Sequence, residues 1–259
     1  MSKLSLRNIS KSFSTRSGET TRILKNIDLE IADGAFFTLL GPSGCGKSTL
    51  LNIVAGFEDA TTGDLEINGT AIKGPGTDRT VIFQDVSNAL FPYMTVFENV
   101  EFGPKMSGHP KSDRKEAVEK YLKLVHLGKD GDKFPFELSG GMKQRVQIAR
   151  ALANDPDILL MDEPFASLDA ITKKHLQFEL RRIWEETRKT IFYITHDIIE
   201  ALILSTHLAV MTSGPDATLK AVYNIDLTEP RSLTNQQFAA MYNEIEGLIE
   251  EEIDKRKIG

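Results

Sequence analysis

Hydrophobic and polar positions along the chain follow two different strand patterns. In LSLRNI (residues 4–9) and IDLEI (residues 27–31) apolar and polar side chains alternate, as they do in strands with one wet face. LEINGT (residues 65–70) carries the same alternation into an Asn-Gly turn, a hairpin signal. These segments predict an antiparallel β portion. Five other runs are apolar on both parities: AFFTLL ending at Leu40, TVIFQ ending at Gln84, DILLMDE ending at Glu163, TIFYITH ending at His196 and HLAVM ending at Met211. Strands buried on both faces read this way, so the runs predict a mostly parallel sheet with helices between its strands. Four of them end at, or lead straight into, a polar group of chemical use. Ligands collect at the carboxyl edge of open parallel sheets, and the placement predicts one shared site there.

A stretch of different character, residues 93–136, separates the second and third runs and predicts a helical insertion. Its best helix places Ala117, Val118, Tyr121, Leu122 and Val125 on one face, with Asp113 and Glu116 expected as a capping box. A further helical pattern starts at Thr234 and ends in EIEGLIEEEIDKRK, which reads as a solvated helix with a frayed end. The expected division is a main α/β domain over 1–230, with a subdomain at 93–136 inserted, and a helical extension over 231–259. No internal repeat or low-complexity linker interrupts it.

With 259 residues the chain can bury a full core. The net charge of −6 gives no general attraction for nucleic acid, which is therefore not an expected partner. Cys45 is the only cysteine, so no internal disulfide is possible, and a reducing compartment is compatible with that. The start, MSKLSLRNIS, lacks the apolar stretch of a secretory signal. No apolar run approaches the roughly 20 residues that a spanning helix needs. IIEALIL (residues 198–204) is short and is broken by Glu200. Any work at a membrane would need a partner that holds the chain there.

The chemistry begins at GPSGCGKSTLL, residues 41–51. Gly41, Gly46, Lys47 and Ser48 satisfy the pattern G-x-x-x-x-G-K-[ST] between an apolar strand and a helix. Glycines let backbone N–H groups of Gly41, Ser43, Gly44, Cys45, Gly46 and Thr49 close around phosphate oxygens, Pro42 shaping the loop without a donor of its own, and the helix N-terminus adds favourable donors. Lys47 would neutralise β- and γ-phosphate charge, and Ser48 would hold Mg²⁺. The acidic partner expected at another strand end is supplied by ILLMDE. Asp162 is placed to bind Mg²⁺, and Glu163 to polarise an attacking water, which makes hydrolysis the expected outcome. His196 is suited to hydrogen-bond a transferring phosphoryl group. Gln84 is a neutral amide able to touch metal-bound water.

LSGGMKQR (residues 138–145) supplies a second helix start, with Ser139 as N-cap and bare N–H groups at Gly140 and Gly141. Taken with the loop at Gly41, DEP at Asp162, SLDA at Ser167 and THD at Thr195, it makes residues 2–230 resemble the ATP-binding subunits of ABC transporters, motif by motif and in order. The resemblance implies the ABC ATPase fold, an α/β phosphate-loop NTPase core with an antiparallel β subdomain and a helical insertion, acting on ATP with Mg²⁺. It also implies a homodimer in which two chains meet head to tail. Each ATP then lies between the phosphate loop of one chain and Ser139, Gly140 and Gly141 of the other, with Asp169 coupling the sites. Phe13 matches the family's aromatic position that stacks on adenine.

A finer likeness comes from PGTDRTVIFQD (residues 75–85), ALFPYMTVFENVEFG (residues 89–103) and DEPFASLDA (residues 162–170). These segments look like the ATPase subunits of nitrate, sulfonate and taurine importers. Ala166-Ser167, where many members carry Gly-Ala, and the segment MTSGPDATLK depart from that group's pattern. The group implies transmembrane permease partners, an extracytoplasmic solute-binding protein and a peripheral place on the cytoplasmic face of the inner membrane. The surface near Gln84 and residues 91–94 would receive a short helix of the permease. The rival expectation is a soluble ABC-type ATPase that remodels a macromolecular assembly.

Overall fold

The computed structural model describes residues 2–14, 18–85 and 89–258. In chain order its elements are β1 (Ser2–Ser14), β2 (Thr20–Ala32), β3 (Phe36–Leu40), α1 (Lys47–Ala55), β4 (Thr62–Ile67), β5 (Thr70–Ala71), β6 (Arg79–Ile82), α2 (Val96–Met106), α3 (Lys111–Leu124), α4 (Gly140–Ala153), β7 (Ile158–Asp162), α5 (Ala170–Thr187), β8 (Thr190–Thr195), α6 (Ile198–Leu204), β9 (His207–Met211), β10 (Leu219–Asn224) and α7 (Gln236–Ile258). They form two compact units, Met1–Gly76 with Lys189–Gly259, and Thr77–Arg188.

In the first unit, β2, β1, β4 and β5 lie side by side in that order and pair antiparallel. The alternation read from the sequence is what this sheet uses: Leu4, Leu6, Ile9, Ile27, Leu29 and Ile31 are buried, and the polar positions between them mostly face out. Asn68 and Gly69 turn the chain from β4 to β5, both with positive φ, as a tight hairpin demands. The same unit holds β3 in parallel register with β8 and β9, and β10 antiparallel to β9. Every residue of β3 and β8 is buried, which accounts for their unbroken apolar runs. Phe37 of β3 and Phe192 of β8 stack at 5.8 Å. The sequence pattern does not announce β10, whose side chains are only half-buried or exposed.

α7 corrects the expectation of a solvated helix. Phe238 and Ile245 are fully buried, in one cluster with Leu202, Leu208 and Val210. Near the C-terminal end Glu252 is buried as well. The dense charge of this segment hid two apolar anchors spaced seven residues apart, one helical face.

In the second unit β6 and β7 pair in parallel. α2 is started by a capping box that the sequence reading passed over: Glu98 N donates to Thr95 Oγ1, and Thr95 N to the Glu98 carboxylate. The box expected at Asp113 and Glu116 does not form. α3 begins at Lys111 with Pro110 as its cap, so Asp113 lies inside the first turn, where its charge suits the helix dipole. Val118, Tyr121, Leu122 and Val125 are buried as the periodicity required, and Ala117 is half-buried. Buried Asn99 binds the preceding loop, its amide donating to the carbonyls of Phe91, Met94 and Thr95 and its Oδ1 accepting from Phe91 N. No helix of the described residues is long and apolar enough to cross a membrane.

Candidate functional site

The phosphate loop leaves the carboxyl end of β3 and enters α1. Its ammonium is turned inward: Lys47 is buried, and Nζ donates to the carbonyls of Gly41 at 2.8 Å and Pro42 at 2.9 Å. Gly41, Pro42 and Cys45 are buried, Gly46 and Thr49 are half-buried, and Ser43, Gly44 and Ser48 are exposed. One glycine is required by the geometry and a second is tightly backed. Gly46 caps α1 with φ of 102°, and a β-carbon there would lie 2.8 Å from Leu24 Cδ2 and 2.9 Å from Ile23 Cγ2. Gly41 is backed by Met211, whose Cβ would be 3.1 Å from a β-carbon at 41. α1 has neither a side-chain cap nor an acidic residue in its first turn, so its leading backbone donors face no competing carboxylate from their own helix.

His196 follows β8. Because Leu40 and Thr195 are register partners in the parallel pair β3–β8, the loop and the histidine leave the sheet at the same edge. A network that the sequence reading missed holds this corner. Thr195 Oγ1 donates to Glu200 at 2.5 Å and accepts from Asp197 N at 3.0 Å, and Asp197 caps α6 by accepting from Glu200 N at 3.1 Å. The Asp-x-x-Glu spacing after His196 was its signal in the sequence. Phe13, near the end of β1, is 42 % exposed, with the Lys11 ammonium 4.8 Å from its ring centroid. Lys11 is itself fixed by Glu58 and the carbonyl of Asp59.

The second unit carries the remaining residues. β6 and β7 are parallel, with Ile82 opposite Met161, so exposed Gln84 and half-buried Asp162 leave the same edge of that pair. Glu163, half-buried, takes φ of 43°, a left-handed backbone unusual for a residue with a side chain. A tight turn follows, with Ala166 N donating to the Glu163 carbonyl.

At α4, Ser139 Oγ accepts from Met142 N at 3.3 Å, the expected N-cap. The two glycines behind it are there for close approach. A β-carbon at 141 would sit 2.8 Å from Thr172 Cγ2, and one at 140 would sit 3.3 Å from Leu168 Cδ2. Asp169 caps α5 by accepting from Ile171 N and Thr172 N, and the bonds from Thr172 hold its carboxyl below the ordinary carboxylate range. The tips of α4 and α5 therefore lie together, bringing Ser139, Gly140 and Gly141 next to the segment that carries Asp169.

Strand, glycine loop and inward lysine, with hard oxygen donors at parallel strand ends, define a phosphate-loop nucleotide-binding protein. Residues 24–166 match the ABC transporter family, and the chain belongs to that family. It is 45 % identical to the taurine import ATP-binding protein TauB of Jannaschia sp., over 98 % of this chain and 97 % of that protein. It is 46 % identical to the bicarbonate transport ATP-binding protein CmpD of Synechocystis sp., over 88 % of this chain and 80 % of that one. Among solved structures, an ATP-binding cassette captured as a dimer after hydrolysis, with ADP and phosphate bound, superposes with a TM-score of 0.71 at 31 % identity, covering 87 % of this chain and all of that one.

Proposed function

We propose that the chain is the ATP-hydrolysing subunit of an ABC importer for a small solute of the nitrate, sulfonate, taurine or bicarbonate kind. The observation that carries this reading is the phosphate loop with Lys47 folded into it, in a chain that also holds Glu163 at the end of a buried parallel strand. Relatives of nearly equal identity are named for taurine and for bicarbonate, so the solute is proposed only as a class.

In this reading backbone N–H groups of residues 41–49 bind the ATP phosphates, and Lys47 exchanges its two carbonyl contacts for phosphate oxygens. Phe13 presents a partly exposed ring to adenine. Glu163 accepts a proton from the attacking water, and His196 orients the transferring group by hydrogen bonding. The Ser48 hydroxyl, the Gln84 amide oxygen and the Asp162 carboxylate are the hard donors that Mg²⁺ takes, and the ion when bound would neutralise phosphate charge. Ser139, Gly140 and Gly141 are assigned to the γ-phosphate of ATP held by a second copy, with Asp169 positioned beside them. Charge-assisted bonds to the triphosphate join the two copies, and cleavage followed by release removes them, so closure and opening of the dimer become the mechanical output.

The proposed permease contact is on the second unit. Tyr93 is 77 % exposed, while neighbouring Phe91 packs on Phe102 at 4.5 Å and lies under the Arg150 guanidinium. A groove lined by Phe91, Phe102, Gln147 and Arg150 opens beside it. Within the groove Gln147 Nε2 is buried and has no hydrogen-bond partner among the described residues. The test is co-purification from membranes: recovery of a permease that raises ATP turnover when reconstituted is expected, and a set of purely soluble partners would overturn the importer reading.

A further inference from the structure

The phosphate loop is backed by the turn at residues 213–216, between β9 and β10. A β-carbon at Gly214 would lie 3.4 Å from the Gly44 carbonyl oxygen and 3.7 Å from Cys45 Cα, so the turn runs alongside the middle of the loop with room for about a methyl group between them. Its far end is stitched to β2. Asp216 N donates to the Arg22 carbonyl and Ala217 N to the Ile23 carbonyl, each at 2.9 Å, and Arg22 forms an ion pair with Asp216. Ile23 and Leu24 of that strand are the residues pressed against Gly46. One short turn thus flanks the loop and is tied to it through β2.

What holds the turn lies near the other end of the chain. Glu252 of α7 accepts from Ser213 N at 3.1 Å, while its backbone carbonyl accepts from Ser213 Oγ at 2.7 Å. Its carboxylate also takes Lys220 Nζ of β10 at 2.9 Å and Lys255 Nζ at 2.8 Å. Glu252 is only 3 % exposed. A buried carboxylate is costly unless it is saturated, and this one is. Hydrogen bonds between Thr212 and Thr218 close the base of the turn, and Glu252 holds it at Ser213.

We infer that Glu252 is a positioning residue for the phosphate loop, acting through Ser213 and the 213–216 turn, so that its hold on Ser213 sets the affinity for ATP. The inference rests on the loop being the ATP site. Glu252 is far along the chain from residues 41–49, and its hydrogen bonds go to Ser213, Lys220 and Lys255. Its removal therefore acts on the geometry of binding rather than on the chemical step.

The experiment measures ATP hydrolysis and binding of a fluorescent ATP analogue by the full chain in four variants. Glu252→Gln is expected to raise KM for ATP and the analogue's Kd by about threefold to tenfold, with kcat within about twofold. Ser213→Ala, a milder lesion in the same contact, is expected to move KM in the same direction and by less. Tyr223→Phe removes the hydrogen bond from β10 to Glu244 of α7 without reaching the turn, and KM is expected to stay at the wild-type value. Unchanged KM in both Glu252→Gln and Ser213→Ala would overturn the inference, and so would an equal rise in Tyr223→Phe. Lys47→Ala separates the two levels: if it binds the analogue as tightly as wild type, the ATP-site reading itself fails. If Lys47→Ala weakens binding while Glu252→Gln does not, only the positioning role is lost.

Discussion

The Lys47 ammonium donates to the carbonyl of Gly41 six residues earlier, at 2.8 Å, and reaches that of Pro42 as well, so the loop's own cation is held inside its curve. A lysine placed this way meets an incoming triphosphate with little side-chain entropy left to lose. Lys47→Ala should weaken ATP binding by about tenfold to a hundredfold, the scale of one or two charge-assisted hydrogen bonds, as read by equilibrium titration.

Glu163→Gln keeps the side chain's size and one acceptor oxygen but removes the proposed base. Turnover should fall by about a hundredfold or more with ATP affinity retained, and sedimentation in the presence of ATP should show a longer-lived dimer. Hydrolysis at the wild-type rate would remove Glu163 from its assigned role.

Ser139→Arg places a bulky cation where a helix tip is to meet phosphate from another copy. Turnover is expected to drop by about tenfold or more. Dimers mixing this variant with a Lys47→Ala chain test where the defect acts, since the two lesions then fall on the same or on opposite nucleotide positions.

Gly141→Ala adds a β-carbon 2.8 Å from the Thr172 methyl. Either the Thr172 side chain or the tip of α4 must then give way, at a cost of about 1–3 kcal/mol in stability. Thermal melting reads that cost, and turnover should fall further than melting alone accounts for, because Ser139 is displaced relative to Asp169.

Acid sensitivity of the C-terminal helix follows from Glu252. Burial alone would push its carboxyl up, but hydrogen bonds from Lys255, Lys220 and Ser213 N together hold it at about 2, below the ordinary value of 4.5. A carboxyl depressed by folding stabilises the native state above its unfolded pKa and loses that contribution as pH falls through the folded value. The stability difference between wild type and Glu252→Gln should therefore be full near neutrality, shrink from about pH 4.5 downward, and be largely gone near pH 2. Chemical denaturation at a series of pH values measures it.

Much of this was legible in the residues themselves. Buried parallel strands such as β3 and β8 announce themselves because both faces are covered, and GPSGCGKS announces itself because few other loops need that glycine spacing beside a lysine. Local capping was harder to place. Thr95 and Asp113 each start a plausible capping box, and only the position of Pro110 decides against the second. The contact between Glu252 and Ser213 joins residues 39 apart, with no periodicity or motif to link them. It arises from tertiary packing of α7, whose burial rests on Phe238 and Ile245 amid a charged sequence.

The left-handed backbone at Glu163 sets two demands on one position against each other. Glycine or asparagine would relax that conformation, by about 1 kcal/mol, yet neither carries a carboxylate. In the proposed mechanism the carboxylate at 163 is held at that backbone cost for the sake of turnover, where a sturdier residue would leave the protein idle.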